Sequence, residues 1–255
     1  MPCSTSGMVR HASRLPLVAL AAGALAIGCV GSEPEDDDVA AEADAELRRY
    51  EDAPFERPEV GLLRRAGSYC TGTLIGPRTV LTAAHCVGFA SAIAAPSAPP
   101  IGTFTIERSA GDAIAIGYHR HRADAGALDV KFDIAVVQLD APVPADVATP
   151  AVIAEEWPSE RLTVYGYGRY GAGCKGRDAS PAKRKTTVPP SFPWVKATTC
   201  PGDSGGPYFQ GATNRVVATV KGDGLGLEWV GDAVQHRAWI LARRAESERG
   251  ALVAE

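Results

Sequence analysis

The sequence predicts an all-β fold, a sandwich or barrel ending in one helix. Three observations predict it. From Pro58 onward, short apolar runs succeed one another, each bounded by Gly, Pro or Asp. Strands of that length between turn signals are the pattern of antiparallel β architectures. No regular alternation of strands with long amphipathic stretches interrupts them, which argues against a βαβ fold. Only Asp232 to about Ser247 sets apolar residues at roughly helical spacing, through Val234, Trp239, Ile240 and Leu241.

The strands are read in order. Val60 to Leu63, Thr73 to Ile75, Thr79 to Leu81, Phe104 to Ile106, Ile114 to Ile116 and Ile134 to Leu139 form a first group. Pro142, Pro144 and Pro150 then break the series, because proline is excluded from central strands. Leu162 to Tyr165, Lys185 to Val188, Tyr208 to Phe209 and Val216 to Val220 form a second group. No internal repeat is visible.

Length and composition bound the function. The chain has 255 residues, 45% of them hydrophobic and 22% charged, enough for one large domain or two small ones. That balance excludes a collagen-like or wholly disordered chain. A net charge of -4 offers no basic surface for nucleic acid.

The N-terminal stretch reads differently from the rest. Arg10, His11 and Arg14 precede an apolar run from Leu15 to Ile27 that ends in small residues. This is the layout of a signal peptide, and the run falls short of the ~20 residues of a membrane span. Ala26-Ile27-Gly28-Cys29 resembles a bacterial lipobox, with Ala26 where Leu is usual. We expect membrane attachment through a lipidated Cys29, with cleavage near Ala24 to Ala26 and free secretion as the alternative. The protein is therefore expected to be exported, as an outer-membrane lipoprotein or a periplasmic or secreted protein. Gly31 to Arg49 carries eight acids, among them Asp36, Asp37 and Asp38. Such a run repels itself and stays solvated. The expected organisation is a leader over 1–28, an acidic tether or pro-segment over 29–57, β units over 58–145 and 146–231, and a helix and tail over 232–255.

Three segments carry chemistry: Leu81-Thr82-Ala83-Ala84-His85-Cys86, Phe132-Asp133-Ile134, and Cys200-Pro201-Gly202-Asp203-Ser204-Gly205-Gly206-Pro207. A serine hydroxyl is a poor nucleophile at neutral pH. It needs a base within hydrogen-bond reach, and the base needs an orienting group. Ser204, His85 and Asp133 supply those three types.

On these motifs the sequence resembles the trypsin/chymotrypsin family of serine proteases, from about Pro58 to Ile240. The order His, Asp, Ser is the family's, and the interval from Asp133 to Ser204 is short for it. The resemblance implies two six-stranded antiparallel β-barrels with a C-terminal helix and the site in the cleft between them. It implies that His85 is the general base, that Asp133 fixes its tautomer and that Ser204 attacks the scissile carbonyl. The N–H groups of Gly202 and Ser204 would form the oxyanion hole. It implies a Cys70–Cys86 bridge beside the histidine. In the family Cys200 pairs with a cysteine of the pocket's far wall. That wall here reads Val220-Lys221-Gly222-Asp223-Gly224 and has none, so Cys174 is the expected partner.

The chain departs from the family pattern in two places. Family members bury a new Ile or Val terminus against the aspartate before the serine, here Asp203. No Ile-Val-Gly-Gly occurs near Glu46 to Pro54; Arg48-Arg49-Tyr50-Glu51 offers a cleavage site and a poor new terminus. The family's pocket floor falls on Thr198, followed by Thr199, with Gly222 on the wall and Glu228 facing from the next strand. Two threonines argue against basic P1 residues by the usual route, and Glu228 would restore them. Val220 lacks the hydroxyl that usually supports the catalytic aspartate.

The expected function is peptide-bond hydrolysis by a monomeric serine endopeptidase acting on proteins or peptides, without cofactor or metal. A catalytically silent binding module on the same scaffold is the alternative. Gly202 to Gly206 also fits G-x-S-x-G with His236 downstream, but Pro207 opposes the helix which that elbow requires; His236 is read as an exposed residue of the final helix. His119-Arg120-His121 is read as a solvated loop rather than a metal site.

Overall fold

The structure, a computed structural model, describes residues 50–88, 100–109, 112–123, 133–171, 174–176, 181–190, 195–196, 199–224 and 227–249. Six strands close into an antiparallel barrel: β2 (Val60–Arg65), β3 (Ser68–Gly76), β4 (Thr79–Thr82), β5 (Gly102–Ser109), β6 (Asp112–Ala123) and β7 (Ala135–Leu139). Their order round the barrel is β2-β3-β4-β7-β6-β5. β4 and β7 are buried along their whole length. That is why Thr79 to Leu81 and Ile134 to Leu139 read as runs without polar alternation.

The second sheet has eight strands. They are β1 (Glu51–Asp52), β8 (Val152–Ile153), β9 (Leu162–Gly166), β10 (Arg184–Val188), β11 (Val195–Lys196), β12 (Pro207–Gln210), β13 (Arg215–Gly224) and β14 (Leu227–Asp232). Hydrogen bonding runs β1-β10-β9-β12-β13-β14-β11, with β8 parallel to β13. The mostly β architecture, the closed six-stranded barrel and the C-terminal helix are those the sequence predicts. Among the described residues the second sheet takes an open path of seven strands, with β8 beside β13, rather than a ring of six. Three of its strands, β1, β8 and β11, have two residues each.

Apolar side chains collect in three clusters. One fills the barrel around Leu74, Phe104 and Val137. Another lies under the second sheet around Val164, Tyr208 and Val217. The third joins the two, bringing Val60, Leu62 and Leu81 of the barrel against Tyr165, Tyr167, Phe209 and Val216. Among the described residues there are two disulfides, Cys70–Cys86 and Cys174–Cys200.

Helices are few. α1 (Ala84–Val87) is one turn, and α2 (Arg237–Glu248) ends the described chain. α2 begins later than Asp232 because Asp232 Oδ1 accepts the Gln235 N–H at 2.8 Å and closes a turn ahead of it. His236 is therefore the half-buried residue before the helix, not an exposed residue within it. His119 to His121 also differ from expectation: they lie in β6, paired with β7, not in a loop. The ladder shifts register between Arg120 and Arg122, which hides the strand's period from the sequence. Among the described residues no helix is long and apolar enough to cross a membrane.

Candidate active site

His85 stands on α1, directly after β4, and Asp133 lies just before β7. β4 and β7 are paired, with Thr82 opposite Ala135. The ladder thus brings together two residues 48 apart in the chain. Asp133 is buried and both its oxygens face His85. Oδ2 accepts from the ring Nδ1 at 2.6 Å, and Oδ1 accepts from the His85 backbone N–H at 2.9 Å. A carboxylate only accepts, so Nδ1 carries a proton, and in the neutral ring Nε2 keeps its lone pair. The ring is open to solvent, its side chain 32% exposed. Nε2 lies 3.7 Å from Cys86 Sγ.

Ser204 is half-buried in the turn that leads into β12. Both sheets hold this turn. Thr71 N donates to the Ser204 carbonyl at 2.8 Å, and Thr71 Oγ1 donates to the Gly202 carbonyl at 2.9 Å. From the other side, Gly205 N donates to Val220 O at 2.7 Å, and Val220 N to Gly206 O at 2.8 Å. Gly202 has φ +107°, and a side chain there would strike the Tyr69 ring. Glycine alone takes that backbone conformation without strain. Among the described residues the N–H groups of Gly202 and Ser204 donate to no protein acceptor. No hydrogen bond joins the Ser204 hydroxyl to His85 among the described residues, and such bonds are often long before substrate binds.

Asp203 is fully buried behind the turn. Its Oδ1 accepts Gly168 N at 2.7 Å, and its Oδ2 accepts Cys200 N at 2.8 Å and the Tyr50 hydroxyl at 2.9 Å. Burial raises its pKa to about 6, against the lowering effect of the Cys200 and Gly168 N–H groups, the Tyr50 hydroxyl and the Arg184 charge. A side chain at Gly166 or Gly168 would collide with the carboxylate.

The remaining expected residues are distributed around this centre. Cys70–Cys86 closes beside His85, and Cys174–Cys200 ties the loop after β9 to the serine turn. Thr199 is buried, and Gly222 sits at a register shift in β13 with φ +136°. Glu228 lies in β14 opposite Asp223 and Val195. Thr198 and Cys29 lie outside the described residues. Cys70, His85 and Cys86 bring three ligand-type atoms within 4.8 Å of one another, but both sulfurs are spent in the bridge.

Sequence reasoning missed Thr71, Thr82 and Tyr50. Thr82 Oγ1 donates to Thr71 O at 2.8 Å, and Thr71 Oγ1 also accepts from Tyr167 N at 3.0 Å. The only signal for the two threonines was their place as polar residues inside strands that otherwise run apolar, where the fold buries them.

A family model described as Trypsin matches residues 49–226. Mouse neuropsin, described as a serine protease expressed in the limbic system of the brain, is similar in structure. Its TM-score is 0.57 at 19% identity, covering 76% of this chain and 97% of that one. Human heparin binding protein has a TM-score of 0.54 at 19% identity, covering 76% of this chain and 94% of that one. No curated protein sequence matches the chain.

Proposed function

The chain belongs to the trypsin family, and from that premise we propose that it is a serine endopeptidase whose triad is His85, Asp133 and Ser204. The observation that carries this reading is the doubly bonded His85–Asp133 pair, with Nδ1 2.6 Å from a buried carboxylate. Asp133 holds the ring in the tautomer whose Nε2 takes a proton. Ser204 Oγ attacks the scissile carbonyl and gives its proton to Nε2. The oxyanion is received by the Gly202 and Ser204 N–H groups. His85 then protonates the leaving amine, and water repeats the sequence on the acyl-enzyme. The substrate is a protein or peptide, and the P1 pocket is built from Thr198, Thr199, Gly222 and Glu228. A peptide-library cleavage profile of Glu228→Gln against Thr198→Ala separates the two specificity determinants.

Two disulfides are typical of proteins that leave the reducing cytosol. We place this one at the outer membrane through lipidated Cys29, which palmitate labelling of Cys29→Ala checks. The test of the enzyme is a fluorophosphonate probe. The folded protein should be labelled and Ser204→Ala should not. A folded protein that takes no label would leave the silent binding module as the better reading.

A further inference from the structure

Asp203 adjoins the proposed nucleophile and is buried beyond the reach of solvent, yet a side chain that donates a hydrogen bond to it comes from far away in the chain. That donor is Tyr50, 153 residues earlier, whose hydroxyl lies 2.9 Å from Oδ2. Two further donors are backbone N–H groups, of Gly168 and Cys200. The three residues after Tyr50 hold it in place. β1 pairs with β10 through Glu51 opposite Lys185 and Asp52 opposite Arg184. Asp52 Oδ1 lies 3.2 Å from Arg184 Nε, and Ala53 N donates to Lys183 O at 3.0 Å. The glycines at 166 and 168 leave room for the carboxylate, which a Cβ at either position would strike. A built socket thus surrounds Asp203, and a phenol completes it.

We propose that Tyr50 is a positioning residue: its hydroxyl holds Asp203 in the uncut chain and so sets the Gly202–Ser204 turn for catalysis, without a freshly cut amino terminus. The inference rests on the serine-endopeptidase reading. The chain of cause is short. Asp203 shares its turn with both proposed oxyanion donors. If its carboxylate loses a donor, the ionised form becomes harder to keep in a dry site. Once protonated, it loses acceptor strength toward Cys200 N and Gly168 N, and the turn relaxes. The charged and titratable groups facing Asp203 are Tyr50, from the segment leading into β1, and Arg184 of β10; its own turn and the loop after β9 present backbone N–H groups. Asp203 is ionised above pH of about 6. Removing the Tyr50 donor raises that value further, so the acid limb of activity moves to higher pH.

The experiment is fluorophosphonate labelling of full-length protein from pH 5 to 9. Tyr50→Phe should label at least roughly ten-fold more slowly at pH 7, the effect of one hydrogen bond to a charged group. Its thermal transition should be kept and its acid limb displaced upward. Asp203→Asn should also be slow, and adding Tyr50→Phe to it should cost little more, since the two act through one contact. Arg48→Gln with Arg49→Gln should label as the parent does. Equal labelling of Tyr50→Phe and the parent at every pH would overturn the proposal. So would full additivity with Asp203→Asn, or labelling that requires cleavage after Arg49. A parent that takes no label strikes the enzyme reading instead, and the two failures are told apart by that control.

Discussion

Thr71 shows how one hydroxyl serves two halves of a site. Its Oγ1 donates to Gly202 O and accepts from Tyr167 N, while its backbone N–H donates to Ser204 O. Thr71→Val keeps the shape and removes the hydroxyl, leaving the half-buried Gly202 carbonyl and the buried Tyr167 N–H without that partner. Each such group costs about 1–3 kcal/mol, so we expect urea unfolding to show a loss of roughly 2–4 kcal/mol. Turnover should fall while KM changes little, because the turn that carries the oxyanion donors loses its anchor. A variant with wild-type stability would show that Thr71 is a spectator. The contrast with His85, Asp133 and Ser204 explains what a sequence can carry. Those three announce themselves because nucleophilic catalysis requires their residue types inside specific motifs. Thr71 acts through a contact with Gly202, some 130 positions away, and nothing adjacent to it in the chain encodes that contact.

At the scale of elements, the terminal helix is docked by its last turn. Glu248 Oε1 accepts from Thr79 Oγ1 at 2.6 Å and from Arg78 N at 3.1 Å, and Ser247 Oγ donates to Arg78 O at 3.3 Å. α2 therefore clamps the β3–β4 turn of the barrel, although it comes after the second sheet in sequence. Glu248→Ala should lower stability by about 1–2 kcal/mol and increase hydrogen exchange at Arg78 and Thr79. Unchanged exchange there would mean that the apolar contacts of Trp239 and Ile240 hold the helix alone. The helix was legible from its apolar spacing, as were parts of the longer strands other than β14. β1, β8 and β11 were not, since two residues give no period to read. They exist because neighbouring strands supply their hydrogen bonds, which is a property of the assembled sheet.

At the scale of the whole molecule, the barrel and the second sheet meet over a buried cation. Lys183 precedes β10, and its Nζ donates to Arg57 O at 3.0 Å and to Val60 O at 3.2 Å, at the entrance to β2. Burial lowers its pKa from 10.5 to about 8, against the raising influence of Glu107, Glu59 and Glu56. Linkage gives the effect on stability its sign. Between pH 8 and 10.5 the unfolded chain keeps the proton that the folded chain has released, so stability rises with pH across that window. Each pH unit contributes at most about 1.4 kcal/mol. From pH 8 to 9.5 the parent should therefore gain up to about 2 kcal/mol in urea unfolding relative to Lys183→Met, whose side chain does not titrate. The difference between the two proteins isolates Lys183 from every other group that titrates in the same range. If both show the same slope, Lys183 keeps its proton in the fold, and the junction between barrel and sheet holds an ammonium at every pH the protein meets.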